Sequence, residues 1–584
     1  MNKDLQNSGI GVEDPENQFP DLPDYNFDLL ETDLKEWPIY KLNKKREFFI
    51  NEINQITVET LESRSDDEVQ SLIAKTIYQE KNRMRKKPWK VDPPNERLFW
   101  NRIEKKLTHI KGLPPEPARE QSRELLLRII NRYSEEIVGN FKTGTFKFAR
   151  TALTMAFKIL FNKFFDPYPF WGSRKHLLDK IRVTGSVPHV RKLMEKGTVI
   201  LAPTHSSNLD SIFIGYAIDY KAGLPSFCYG AGLNLFNSEF AAYFMNRMGT
   251  YRLDRRKKNP IYLETLKNMS QKMTMMGVNN LFFPGGTRSR SGKIEERLKL
   301  GLLGTLVEAQ RALIQRGNGK KIYVVPVILS YPFVLEARVL IDEYLRAEGK
   351  EKYFKQRYKK TKRFSKLTFF NHLFTKGPKT WVSYGQPMDV LGNPVNEEGE
   401  SLDKNGGIID IADYFKVGEA IRPNPQRESV YTKVLAESIL RSYREDNVVL
   451  PVHFTAYVAF KQLEGMNYDK DLFEMLRLEE SDIRIFIEDL LPNARSIHSA
   501  FNNLAKKGKL KVTAAFHTST RELLETGLRE MGNFSARKPL KFQRRKGYYT
   551  SEDVKLLYFY HNRLVCYESS IKEEVAKTLE NHPD

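Results

Sequence analysis

The hydrophobic pattern predicts a central α/β domain between two mainly helical regions, and three observations carry that reading. Between about residues 197 and 385, short apolar runs alternate with helix-length amphipathic stretches. Before about residue 175 the apolar spacing is helical and the positions between are heavily charged. After about residue 396 helical spacing returns. In order, strands are expected at 199–202, 226–229, 250–253, 281–283, 322–328 and 381–384, since these runs are short and mostly β-branched or aromatic. Helices are expected at 209–220, 239–248, 261–276 and 300–315. An active site on such a domain lies at the strand ends. A basic insertion at 346–379 interrupts the alternation and interleaves its lysines with Phe354, Phe364, Phe369, Phe370 and Phe374. The expected division is an acidic, disordered arm at 1–40, a helical region at 41–175, the α/β domain at 176–395 and a mainly helical region at 396–584.

At 584 residues the chain exceeds one ordinary core. It is 40% hydrophobic and 12% aromatic, which excludes a mainly disordered polymer. The net charge of +21 calls for an anionic partner: a phosphorylated substrate, membrane headgroups or nucleic acid. The arm at 1–40 opposes that excess, with ten acidic residues against Lys3 and Lys35. A mean hydropathy of −0.52 excludes a multi-span membrane protein. No window reaches the roughly 18 uninterrupted apolar residues of a membrane span. The aromatic, lysine-bearing segment 157–171 suits either a membrane interface or a helix packed on the next domain. Cys228 and Cys566 are the only cysteines, which gives no disulfide framework or zinc cluster and points to a reducing compartment. The N-terminus is polar with no apolar signal core. A cytoplasmic protein, peripheral on a membrane, is the expectation.

Four blocks hold residues suited to chemistry. His205 follows the first strand, in Thr204-His205-Ser206-Ser207-Asn208-Leu209-Asp210. Residues five apart on a continuous helix lie about 140° apart, so His205 meets Asp210 only from a loop ahead of the helix. A neutral imidazole there takes a proton from an alcohol while the carboxylate fixes its tautomer. The second block, Gly249 to Lys258, gathers Arg252, Arg255, Arg256, Lys257 and Lys258 near a strand end, as a phosphate site or a solvated face. The third is Phe283-Pro284-Gly285-Gly286-Thr287-Arg288-Ser289-Arg290-Ser291-Gly292-Lys293. Its glycines let amides approach an anion, its hydroxyls donate, and Arg288, Arg290 and Lys293 neutralise charge. It is not a nucleotide P-loop, because Thr287 stands where that motif needs glycine and Ile294 where it needs Ser or Thr. The fourth, Val325-Pro326-Val327, reads alone as a buried strand.

Taken in order, the four blocks resemble the motifs of the glycerolipid acyltransferase superfamily: the His-x4-Asp box, the Gly-then-Arg strand, the Phe-Pro-acidic-Gly-Thr-Arg-Ser box and the Val-Pro-Val strand. The resemblance covers about 185–385. The run from Arg288 to Lys293 and the helical flanks resemble the branch that acylates glycerol 3-phosphate or dihydroxyacetone phosphate. The resemblance implies a mixed sheet flanked by helices and acyl transfer from acyl-CoA or acyl carrier protein to the acceptor hydroxyl, as the first step of glycerophospholipid synthesis. It implies His205 and Asp210 as the catalytic pair. Arg255, Gly285, Gly286, Thr287, Arg288, Ser289, Arg290 and Lys293 would hold the phosphate, and Pro326 would belong to the acyl-side strand. No metal or organic cofactor is implied. The family carries a glutamate, associated with acceptor binding, where this chain has Gly285, which leaves the acceptor's identity open; Glu295 or Glu296 is the candidate substitute, with no spacing in the sequence to mark it. The alternative within the superfamily is a lysophospholipid acyltransferase. A nucleic-acid-binding protein would explain the charge but not the four ordered blocks. An inactive scaffold is disfavoured by the presence of both His205 and Asp210.

Overall fold

The computed structural model describes residues 21–86, 92, 95–148, 151, 181–232, 247, 249–348, 379–532 and 537–581. The segment 157–171, nearly all of the helix expected at 239–248 and most of the insertion at 346–379 lie outside these residues.

The helices α1 (Pro38–Lys44), α2 (Arg46–Glu62), α3 (Asp66–Lys86), α4 (Glu96–Ile110) and α5 (Pro115–Ile137) precede the sheet. In α5, Leu125, Leu126, Ile129, Ile130, Tyr133 and Ile137 recur at helical spacing and are all buried. They close a core around Trp100.

Residues 21–40 correct an expectation. The arm read as disordered is packed from residue 21 onward. Asp24 accepts from Arg182 Nη1 at 2.6 Å, Lys221 Nζ at 3.1 Å and the Val183 amide at 2.9 Å. The Tyr25 amide donates to the Val183 carbonyl at 2.8 Å, and Trp37 is buried. Asp24 is ion-paired with the α/β domain, Leu22, Tyr25 and Phe27 pack against that domain's core, and Leu34, Trp37 and Ile39 are buried in the core of the helical bundle.

The α/β domain contains β1 (Ile181–Gly185), α6 (Val187–Lys196), β2 (Gly197–Pro203), α7 (Asp210–Tyr216), β3 (Cys228–Gly232), β4 (Thr250–Leu253), α8 (Pro260–Met275), β5 (Asn280–Leu281), α9 (Leu300–Gln315), β6 (Lys321–Ser330), α10 (Ala337–Ala347) and β7 (Thr380–Tyr384). The sheet order is β1-β7-β6-β2-β5-β3-β4. All neighbours are parallel except β6 and β7, so the sheet is mixed. Strand β2 pairs with β6 from Gly197–Lys321 to Pro203–Val327. Both strands are buried almost throughout, as central strands covered on two faces must be. Their common end points at the His205 loop: the Thr204 amide donates to the Val327 carbonyl at 2.9 Å.

The C-terminal region adds α11 (Pro425–Glu445), α12 (Pro451–Met466), α13 (Ile487–Lys506), α14 (Thr520–Gly532), α15 (Val554–His561) and α16 (Glu568–Asn581). Helix α12 is buried on every side over its first ten residues, the pattern of a central helix. It shares one continuous apolar core with the sheet domain, so the core does not end near residue 396.

Two buried histidines make this region acid-sensitive. His453 donates through Nε2 to the Tyr331 carbonyl at 2.9 Å, and His561 stacks on Tyr457. Burial lowers both from about 6.5 to about 3. Between those values the unfolded chain binds more protons than the folded one. Stability is therefore full above pH 6.5 and is lost as the pH falls toward 3. Thermal unfolding between pH 7 and pH 5 should show this slope. His453→Gln, which keeps a donor for Tyr331, should make it shallower; an unchanged slope would remove His453 from the account.

Candidate active site

β2 ends at Pro203, residues 204–209 form a loop, and α7 starts at Asp210 with no side-chain cap. The expected meeting occurs: His205 Nδ1 lies 2.7 Å from Asp210 Oδ2. The Asp210 side chain has 0% exposure. Its charge is met by the amides of Ser206 at 2.7 Å and Ser207 at 3.0 Å on Oδ2, and by the Tyr331 hydroxyl at 2.7 Å on Oδ1. A carboxylate accepts, so Nδ1 carries the hydrogen and Nε2 keeps its lone pair. Nε2 bonds no described residue, and the ring lies against Phe283 with centroids 4.3 Å apart. This is the arrangement of a general base whose tautomer is set by a buried acid.

The third block folds against the first. The Ser289 amide donates to the His205 carbonyl at 2.7 Å, and Ser289 Oγ donates to the Lys293 carbonyl. The Gly286 amide closes a turn onto Phe283, whereas the amides of Gly285 and Thr287 donate to no described residue. Arg288 lies 3.6 Å from Glu336, which also accepts from Ser207 Oγ and the Asn208 amide, so this cation stands beside the His205 loop. Arg290 leans toward Glu343 and Lys293 toward Glu296, both at 3.6 Å. Such loose, partly exposed pairs are weak and exchangeable for a phosphate. Pro326 lies in β6, opposite Ala202, and its carbonyl accepts the Gly385 amide. It supports the strand pair from which the His205 loop emerges.

The second block is sorted by the helical bundle. Arg256 binds Asp254 and Asp92, and buried Lys257 binds buried Glu136. Asn259 caps α8 through the Tyr262 amide and gives its own amide hydrogens to Glu80 and Tyr133. Arg255 remains exposed, with no ion pair among the described residues. Its neighbour Tyr229, raised to about 12 by burial, stays a neutral hydroxyl. The Tyr229 ring contacts Phe283, which stacks on His205.

Sequence reasoning missed the contribution of the C-terminal region. Asn562 Nδ2 donates to the Ser291 carbonyl at 2.8 Å. Gly292 has φ +88°, and a Cβ there would lie 2.1 Å from the Phe559 carbonyl oxygen, so no other residue fits under α15. Arg563 donates to the Leu329 carbonyl and Asn447, and with Ser206, Ser289 and Tyr331 it lines a cavity of about 20 Å³. No local spacing marks these residues.

Residues 180–330 match the family model described as acyltransferase. Over 243 residues the chain is 27% identical to a glycerol-3-phosphate acyltransferase of Haemophilus ducreyi, covering 41% of this chain and 26% of that protein. It is 24% identical over 317 residues to one of Aeromonas hydrophila, covering 54% and 35%. A relative in Pseudomonas putida is 24% identical over 326 residues, covering 56% and 34%. The chain thus spans about a quarter to a third of the length of the curated relatives it matches.

Removing one partner of a buried ion pair strands the other. Glu136→Ala should lower unfolding stability by about 3–5 kcal/mol, read from the urea midpoint. Glu135→Ala, next in the chain but half exposed and paired with Arg46, should change it by about 1 kcal/mol or less. Equal effects would show that Lys257 does not depend on Glu136.

Proposed function

We propose, on the premise that residues 180–330 are an acyltransferase domain of the glycerolipid acyltransferase superfamily, that the protein moves a fatty acyl group from a thioester to a hydroxyl of glycerol 3-phosphate. The observation that carries the reading is the His205–Asp210 pair, with Nε2 free beside a cation-bearing loop. In the proposed reaction Nε2 takes the hydroxyl proton as the oxygen attacks the thioester carbon. The tetrahedral intermediate then breaks its C–S bond, and the leaving sulfur recovers the proton from the imidazolium. Asp210 stabilises that imidazolium, and no acyl-enzyme forms. Arg255, Arg288, Arg290 and Lys293, with the free amides near Gly285, hold the acceptor phosphate and place its hydroxyl at His205. Neither a metal nor an organic cofactor takes part. The donor is acyl-CoA or acyl carrier protein.

No helix among the described residues is long and apolar enough to cross a membrane. We further propose that the protein works on the cytoplasmic face of an anionic membrane, bound through the basic, Phe-bearing stretch at 346–379. Flotation with liposomes should then require anionic lipid and weaken with salt. Binding indifferent to both would reject the electrostatic part.

With labelled acyl-CoA and an acceptor panel of glycerol 3-phosphate, dihydroxyacetone phosphate and 1-acylglycerol 3-phosphate, product should form from glycerol 3-phosphate. His205→Ala should lower its turnover by about 10²–10⁴-fold while the protein stays folded. Near wild-type turnover in that variant would sink the assignment. Arg288→Ala should raise the acceptor KM by about tenfold and leave the donor KM unchanged, as expected for loss of one charge-assisted contact.

A further inference from the structure

His205 is held at both of its backbone groups. The Ser289 amide fixes its carbonyl, and its own amide donates to Glu295 Oε1 at 2.5 Å. Glu295 comes from the far side of the third-block loop, ten residues after Gly285, and the two meet in space. A Cβ built on Gly285 would lie 3.1 Å from Glu295 Cγ and 3.4 Å from Oε1. The Glu295 side chain therefore runs through the volume that a side chain at 285 would claim. The ring of His205 is fixed separately, by Asp210 on Nδ1 and Phe283 on one face.

The Glu295 carboxyl is costly to bury at this place. Oε2 of Glu295 is buried and bonds nothing among the described residues. Burial pushes the carboxyl above its ordinary range, and the nearby Arg563 and His205 only partly offset that. A neutral acceptor would hold the same amide with less desolvation.

On the acyltransferase reading, we infer that Glu295 is a positioning residue: from the space left by Gly285 its Oε1 anchors the His205 amide and so aims Nε2 at the acceptor hydroxyl. Glu295 touches neither substrate in this role. Its contribution enters through the orientation of the base, where small misplacements slow transfer strongly.

The test compares Glu295→Ala and Glu295→Gln with the wild type and His205→Ala. Glutamine offers a carbonyl oxygen to the same amide, so E295Q should keep kcat close to wild type. E295A should lose about 10–100-fold in kcat, with both KM values within about twofold. A wild-type kcat in E295A, an equal loss in both variants, or a loss confined to the acceptor KM would each overturn the inference; the last would make Glu295 an acceptor-binding group. A readout without turnover separates this from failure of the acyltransferase reading. Carbethoxylation of His205 by diethyl pyrocarbonate, followed by peptide mass spectrometry, should differ in rate between E295A and wild type and be restored in E295Q. If the wild type transfers no acyl group but that pattern holds, the activity is wrong and the positioning stands. If labelling is the same in all three, the positioning is wrong.

Discussion

A carboxylate with no solvent exposure must be surrounded by donors, and the Asp210 side chain is such a group. Its four donors come from three sources: the imidazole of His205, two amides of the loop and the hydroxyl of Tyr331. The loop amides require the chain to turn tightly before α7. Tyr331 requires β6 to end level with that turn, which the β2–β6 register provides. The Tyr331 carbonyl is in turn held by His453 of α12. The C-terminal helices are thus continuous with the His205–Asp210 pair, by hydrogen bonds as well as through their common apolar core.

The helical bundle acts on the charge of the second block. Five cations within seven residues of sequence read as one patch. Folding separates them: Arg256 and Lys257 neutralise acids of the bundle, and Asn259 ties the start of α8 to Glu80 and Tyr133. What remains facing outward includes Arg255, beside a protonated Tyr229. Part of the +21 excess is therefore internal to the structure, and a count of basic residues overstates what is offered to a ligand.

Local features were the legible ones. Strand 250–253 and helix 300–315 were expected at their observed limits, because each is bounded by a clear change of period. Strand β1 was not foreseen: its five residues carry Arg182 and end in glycine, too little for a period-2 signal, and its partner β7 lies nearly two hundred residues on. Residues 21–40 were misread because charge was counted without the cations that folding brings to Asp24 and without the core that buries Leu34, Trp37 and Ile39. At the site, His205 with Asp210 and the third-block loop were readable because each is a short contiguous motif. Tyr331, Asn562 and Arg563 reach the same loops from 121 to 271 residues away, and sheet order cannot be inferred from spacing.

The charges around His205 bear on the imidazolium that the proposed reaction would form. Asp210 and Glu295 face a single buried guanidinium, Arg563, whose Nε and Nη2 are taken up by Asn447 and the Leu329 carbonyl. Burial raises the carboxyl of Glu295 and lowers the guanidinium of Arg563, and each carboxylate's field partly restores the latter. In the proposed reaction the imidazolium formed when Nε2 takes a proton would stand next to Asp210, already held through Nδ1. Preorganised fields of this kind act on the transition state more than on the resting enzyme. A carboxylate at 285 would pack against Glu295 and add like-charge repulsion to a carboxyl that burial already raises.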